Sequence, residues 1–206
     1  MGDRNQEILD AALAIADERG LDAVTMRAVA QRIGVTSMAL YPHIGDKDGL
    51  LDGMVGRLLG QLPLPATGDW EERLGDLARA VRTLAKRYPG AITLLFARPS
   101  VTPDAVRVVD AIYTTLLDAG VPAADVPRIE RLTSTVILGY AVSEAGGRFG
   151  AGTRSPRARR GQLPDGDLPG HHALAEWLDR DVDWDAEFEA DLADLGRLIR
   201  SVATAP

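Results

Sequence analysis

Residues 25–48 read TMRAVAQRIGVTSMALYPHIGDKD, and this stretch decides the architecture of the N-terminal third. Thr25 precedes an apolar run at helical spacing and is the residue type that caps a helix N-terminus. Gly34 stands where a left-handed residue ends a helix. The sequence therefore predicts a short helix over roughly 26–33 that terminates in a tight turn.

A second short helix is predicted directly after this turn. Thr36 or Ser37 can cap it, and Pro42 is expected to close or kink it, because proline lacks the backbone N–H. This gives a helix of about two turns. Val35 and Leu40 are apolar and can anchor it against the neighbouring helices. Two short helices joined by a glycine turn form a helix-turn-helix, in which the second helix enters the major groove of DNA.

The free face of this second helix is predicted to contact DNA. It offers hydroxyls, a thioether and rings, which can reach base edges and phosphates. Between Thr25 and Lys47 three basic side chains, Arg27, Arg32 and Lys47, stand against Asp46, so the strip is locally positive. Arg27 and Lys47 lie in first helical turns, where backbone N–H groups favour a phosphate. The candidate DNA contacts are Thr25, Arg27, Thr36, Ser37, Met38, Tyr41, His43 and Lys47.

Apolar residues at helical spacing continue on both sides, and no alternating strand pattern occurs, so the fold class is all-α. Two prolines and a glycine in 62–69 predict a boundary between a DNA-binding domain, 1–61, and a ligand-binding and dimerisation domain, 62–206. Residues 146–170 lack periodicity and are predicted to form a mobile loop. The other predicted helices cover about 4–19, Asp46 to Gly60, 74–88, 103–120, 128–145 and one or two segments at the C-terminal end.

Composition limits the function classes. The 206 residues carry a formal net charge of −7, which argues against a surface that coats nucleic acid broadly. No cysteine is present, so disulfides, thiolate zinc sites and cysteine nucleophiles are excluded. No long apolar run or secretory signal is recognisable, so we expect a cytoplasmic protein without membrane association.

Residues 8–55 resemble the DNA-binding domain of the TetR (tetracycline repressor) family. The resemblance rests on Thr-x-Arg at the start of the second helix, AxxxGV through the turn, LYxH in the recognition segment and DKDGLL after it. It implies that the eight candidates lie at or near DNA. Pro42 departs from the family pattern, since this position is often bulky or basic, and we expect one DNA contact to be missing there.

The C-terminal part resembles tetracycline-repressor domains more weakly, through LLFARPS, DAGV and LGYAVSEAGG. Arg98-Pro99 would form the turn between the ligand pocket and the DNA-binding domain. Leu94 and Ala97 stand where a magnesium-binding histidine and a threonine are expected, so magnesium–tetracycline is not the expected effector. Aromatic and polar residues on otherwise apolar helices are the candidate ligand contacts: Tyr88, Phe96, Arg98, Tyr113, Tyr140, Ser143 and Glu144.

These features favour a ligand-responsive transcriptional regulator, with a repressor preferred. Its partners would be double-stranded operator DNA, a small-molecule effector of unknown identity and a second copy, paired through an apolar seam from Phe188 to Val202. The alternative for this seam is a place in the core of the single chain, and a dimer interface is favoured because a helix-turn-helix reads two half-sites as a two-fold pair. No catalytic motif, cofactor or metal site is expected, and His171-His172 lacks partners at ligand spacing. The alternatives are a helical ligand-binding or interaction protein without operator binding, and an all-α enzyme using His171 or His43.

Overall fold

The computed structural model describes residues 2–64, 67–98, 101–149, 158, 161–162 and 164–204. These residues form helices and turns without a β-strand, which confirms the predicted all-α class. Single turns of 3-10 helix occur at Leu21–Ala23, Ser37–Ala39 and Asp165–Asp167. The α-helices are α1 (Gly2–Arg19), α2 (Met26–Arg32), α3 (Tyr41–Ile44), α4 (Lys47–Leu59), α5 (Trp70–Arg87), α6 (Leu94–Ala97), α7 (Pro103–Asp118), α8 (Val126–Ala145), α9 (Pro169–Ala173), α10 (Ala175–Leu178) and α11 (Trp184–Ala203).

Local capping sets the ends of the N-terminal helices. The hydroxyl of Thr25 accepts a hydrogen bond from the N–H of Ala28 at 3.1 Å, and the carboxylate of Asp46 accepts one from the N–H of Gly49 at 2.9 Å. Gly34 has φ +74°, a left-handed conformation that glycine adopts without strain. The predicted cap at Thr25 and turn at Gly34 are therefore confirmed.

The recognition segment differs from the prediction of one helix of about two turns ended by Pro42. Residues Ser37–Ala39 form a 3-10 turn, and α3 then begins at Tyr41 with Pro42 in its first turn. Proline is tolerated there because the first N–H groups of a helix have no partner within it. Of the two predicted alternatives, that Pro42 closes or kinks the helix, closure is thus wrong. Thr36 caps the 3-10 turn without a side-chain hydrogen bond.

Helices α1 to α4 enclose a small apolar core. Leu40 is only 1% exposed and holds the recognition segment against this core. Burying an aliphatic side chain of this size stabilises the fold by about 1.5–3 kcal/mol. The other buried side chains that α1, α2 and α4 contribute include Ile8, Ala12, Ile15, Ala16, Val29, Ala30, Leu50 and Met54.

The second layer is built around α5, α7 and α8, which contact one another. Helix α4 contacts α1 on one side and α7 on the other, so it belongs to both layers. Helix α11 packs on α8 and buries Phe188, Leu195 and Ile199. These members of the predicted Phe188 to Val202 seam therefore belong to the core of the single chain, and the expectation that they pair two copies is wrong. Within the described ranges, none of the helices combines the length and apolar character that crossing a lipid bilayer requires.

The predicted boundary at 62–69 lies in the connection between α4 and α5, of which residues 65 and 66 fall outside the described residues. Much of the predicted loop at 146–170 also lies outside them. Within the described residues, the prediction of a loop is wrong at the C-terminal end of this range, because residues 165–167 form a 3-10 turn and α9 starts at Pro169. Proline at the first helical position explains this start.

Candidate DNA-binding surface and internal cavity

The structure places the predicted DNA contacts on adjoining elements. They belong to the start of α2, the 3-10 turn, α3 and the start of α4; the 3-10 turn contacts α2 and α3, and α3 contacts α4. Ser37 and His43 are half-buried, and the other six candidates are exposed. The hydroxyl of Thr25 is used as a cap acceptor but retains its proton for donation to a phosphate.

Met38 and Tyr41 are the large hydrophobic side chains that are exposed on this surface. Their exposed fractions are 75% and 46%, although Leu40 between them is buried. Large apolar side chains normally lie inside, so two of them projecting beside a buried anchor mark a contact surface. The predicted division of this segment into an anchored side and a free side is seen here.

Fewer basic side chains are free to bind DNA on this surface than the sequence indicates, because Arg32 is paired. Arg32 forms two hydrogen bonds to the Glu18 carboxylate of α1, at 2.7 and 2.6 Å. The guanidinium holds the pKa of Glu18 below its usual range, which shows that the two charges stabilise each other. Arg27 and Lys47, by contrast, form no ion pair with any described residue, so their charges are available to a ligand.

Helix α4 is tied to the second layer close to Lys47. The guanidinium of Arg98 lies 2.7 Å from the carboxylate of Asp52 and 3.3 Å from that of Asp48. These pairs join the end of α6 to the first turns of α4. Gly56 lies so close to Thr102 that an added Cβ would stand 2.7 Å from the threonine hydroxyl. Helix α4 therefore connects the candidate DNA surface mechanically to α6 and α7.

The end of α1 makes a second contact with the other layer. The carboxylate of Asp17 accepts a hydrogen bond from the N–H of Gly90 at 3.0 Å. Burial raises the pKa of Asp17 despite this bond. A side chain at Gly90 would collide with the carbonyl of Ala16, so the two backbones approach here as only glycine permits.

The seven predicted ligand contacts are not brought together in one cavity. Arg98 pairs with α4, the Tyr88 hydroxyl donates to Gln61 at 3.2 Å, and Phe96 is 54% exposed. Tyr113 is half-buried against the apolar core.

The remaining three lie near α11. Tyr140 and Ser143 line a cavity of about 270 Å³ beside Phe149 and Phe188, and the Tyr140 hydroxyl donates to the carbonyl of Trp184 at 2.7 Å. Burial raises the pKa of Tyr140.

Glu144 is held in an ion-pair network. Its carboxylate accepts hydrogen bonds from Arg82 at 2.7 and 2.6 Å, and Lys86 lies at 3.3 Å. The hydrogen bonds from Arg82 are the main cause that lowers the pKa of Glu144. Arg82 also pairs with Asp185 at the start of α11, so the network joins α5, α8 and α11.

A separate cavity of about 180 Å³ lies inside the second layer, between the end of α4 and helices α5 to α8. Its wall is apolar except for Glu130 and Ser134, and none of the seven predicted ligand contacts lines it. Glu130 is not among the ligand contacts predicted from the sequence, although its position in the apolar pattern of α8 could have identified it. Val126, Glu130, Thr133 and Ile137 follow one another at helical spacing, which places a charged residue within an apolar stripe.

His171 and His172 lie exposed on α9. Across the residues that the structure describes, no three His, Cys, Asp or Glu side chains are grouped so that they could hold a metal ion.

Two family models match the sequence. Residues 8–54 match the model described as bacterial regulatory proteins, tetR family, and residues 62–195 match the model described as tetracyclin repressor-like, C-terminal domain. Together the two matched ranges span most of the chain.

Two relatives illustrate the likeness in sequence. An HTH-type transcriptional regulator of Saccharopolyspora erythraea is 29% identical over 188 residues, covering 89% of this chain and 78% of the relative. The class A tetracycline repressor protein from transposon 1721 of Escherichia coli is 30% identical over 162 residues, covering 76% of this chain and 74% of that protein. The crystal structure of ActR from Streptomyces coelicolor in complex with actinorhodin superposes with a TM-score of 0.83 at 24% identity, covering 98% of both chains, and shares the fold.

Proposed function

The chain belongs to the tetR family of bacterial regulatory proteins and is a DNA-binding transcriptional regulator, and from this premise we propose that it is a homodimeric repressor released from its operator by a small molecule. The observation that carries the proposal is the surface between Thr25 and Lys47. It exposes Met38 and Tyr41, and its basic side chains Arg27 and Lys47 have no ion-pair partners among the described residues. Its place of action would be the cytoplasm, where the operator is found.

The proposed DNA contacts divide into two kinds. Arg27 and Lys47, in the first turns of α2 and α4, would bind phosphates together with the backbone N–H groups of those turns. Met38 and Tyr41, with Thr36 and Ser37, would meet base edges in the major groove. Phosphate contacts fix the position of the protein on the duplex, and base contacts supply the sequence preference.

The proposed dimer would form through the outer faces of α8 and α11. Leu132 and Val136 of α8 and Leu198 of α11 are large apolar side chains that remain exposed in the single chain. They line one shallow cavity together with Leu195, Asp191 and Asp194, so the exposed apolar side chains of the two helices adjoin at this place. A second copy that uses the same faces would bury it by two-fold symmetry, and a two-fold pair of recognition segments suits half-sites one DNA turn apart.

The proposed effector site is the internal cavity lined by Glu130. Leu59 at the end of α4 and Leu62 just after it form part of its wall, and Lys47 starts the same helix at the DNA surface. A molecule that fits the cavity better when α4 is displaced would shift the population towards a state in which the two recognition segments no longer match the operator. The class A tetracycline repressor among its relatives, and the ActR structure in complex with actinorhodin, support a small-molecule effector for this chain by analogy.

Selection of operator fragments from random DNA tests the regulator function. The selected sequence should show two half-sites about 10–10.5 base pairs apart, centre to centre, or a multiple of this spacing. Its affinity should fall steeply with salt, by a log–log slope of about −0.9 for each phosphate neutralised. Failure to recover any preferred sequence would reject operator binding and leave the helical ligand-binding alternative.

A further inference from the structure

Glu130 is a buried carboxylate that faces the internal cavity. It is 9% exposed and lies on the inner face of α8, together with Thr133 and Ile137. Leu132 and Val136, which would meet a second copy, project from other sides of the same helix. The position of Glu130 is therefore explained neither by solvent exposure nor by the proposed dimer surface.

The carboxylate has little to satisfy it within the protein. The hydroxyl of Ser134, one helical turn on, donates to Oε1 at 2.7 Å. No lysine, arginine or histidine nitrogen among the described residues lies within 4.0 Å of it, whereas Glu144 on the same helix has two basic partners. A carboxylate that is largely shielded from water and has no basic partner is a suitable acceptor for a ligand of opposite charge in the adjoining cavity.

We propose that the internal cavity binds an apolar molecule carrying a protonated amine, and that Glu130 selects it by accepting a charge-assisted hydrogen bond. The inference rests on the proposed function, because it takes this cavity as the effector site. Ser134 donates to one carboxylate oxygen, which leaves the other oxygen as an acceptor for the ligand. The apolar wall would cover the hydrocarbon part of the molecule.

The size of the cavity limits the ligand. A volume of about 180 Å³ is smaller than the roughly 300–1,000 Å³ of sites for drug-sized molecules. One ring with a short aliphatic chain suits this space better than a system of several fused rings. The matched probes 4-phenylbutylamine and 4-phenylbutanol have this size and differ only in the polar end.

Calorimetric titration of the purified full chain with both probes, in the absence of DNA, tests the proposal. The parent should bind the amine at least about tenfold more tightly than the alcohol, which is the value of a hydrogen bond to a charged group. Glu130→Gln keeps the shape and removes the charge, so it should abolish this preference and leave the alcohol affinity nearly unchanged. Ser134→Ala should reduce the preference partly, because the carboxylate loses its orienting bond.

Glu187→Gln is the matched control, since it removes the same charge from an exposed site on α11 and should keep the amine preference. Equal affinity for the two probes, no binding of the amine by the parent, or an unchanged amine preference in Glu130→Gln would each overturn the proposal. If Glu130→Gln does not fold, the probe comparison on the parent and Ser134→Ala still decides. Amine selectivity without a selectable operator would reject only the regulator function; an operator without amine selectivity would reject only this inference.

Discussion

The DNA-facing surface and the internal cavity are built in opposite ways. The surface comes from one stretch of chain, 25–47, whose shape depends on contacts between near neighbours, such as the caps at Thr25 and Asp46. The cavity is assembled from five helices, and the layer around it is tied by pairs such as Arg82–Glu144, 62 residues apart in sequence. A contiguous surface can be predicted from its own sequence, whereas an assembled cavity cannot.

Leu40→Ala should give the largest effect, because this side chain holds the contiguous surface in place. Removing a fully buried leucine costs about 2–5 kcal/mol of unfolding free energy, measured by urea denaturation. Met38→Ala, two residues away on the exposed side, should change stability by no more than about 0.5 kcal/mol while weakening operator binding. Equal stability losses in the two variants would show that the segment lacks an inner and an outer side.

Glu144→Gln examines the long-range contacts of the second layer. Arg82 lowers the pKa of Glu144 from the usual 4.5, so this pair stabilises the fold above pH 4.5 and its effect disappears as the pH falls through the lower folded-state value. The variant should be about 2 kcal/mol less stable than the parent at pH 7, and the difference should shrink below pH 4.5. Glu187→Gln, exposed on α11, serves as the control. A difference that stays constant from pH 7 to pH 3 would contradict the pairing.

Lys47→Ala and Tyr41→Ala separate the two kinds of contact on the DNA surface. Each should weaken operator binding by about tenfold. Only Lys47→Ala should also make the salt dependence shallower, by about one unit of log–log slope for each phosphate that the variant no longer neutralises, since tyrosine carries no charge. Both variants should remain dimeric by sedimentation, and Arg107→Ala, exposed on α7, should bind as the parent does. Parental affinity in both variants would show that DNA docks elsewhere.

Arg98→Ala should give the smallest effect and concerns the link between the two regions. The Arg98 pairs with Asp48 and Asp52 are partly exposed, so their removal should cost about 1 kcal/mol or less. Amide hydrogen exchange in residues 47–53 should accelerate by up to about fivefold, because the first turns of α4 are then no longer tethered. Arg128→Ala breaks a pair within one segment, with Asp125, and should leave α4 unchanged. An unchanged exchange rate in Arg98→Ala would show that Arg98 does not tether the first turns of α4.

The sequence predicted what is local and missed what is distant. Thr25 and Gly34 mark helix ends through their own backbone chemistry, so they could be identified. The predicted position of Pro42 at the end of a helix was wrong, because proline is compatible both with the first turn of a helix and with the residues just beyond a helix C-terminus. Arg98 and Glu144 were predicted to contact a ligand, since their partners Asp52 and Arg82, 46 and 62 residues away, carry no local signal.

Glu130 shows the opposite case. The sequence shows that Glu130 lies within an apolar stripe of α8. The cavity that it lines, however, forms only when α4, α5, α6, α7 and α8 pack together. A buried polar group is informative once the packing around it is known.

Occupation of the internal cavity is expected to change the DNA-facing surface through α4. Fluorescence anisotropy of the selected operator fragment, with the parent and with Glu130→Gln in increasing 4-phenylbutylamine, measures this coupling. We predict that saturating amine lowers the operator affinity of the parent at least about tenfold, a coupling within the usual range of about 1–3 kcal/mol, and leaves that of Glu130→Gln nearly unchanged. An operator affinity of the parent that is the same with and without saturating amine would contradict this expectation.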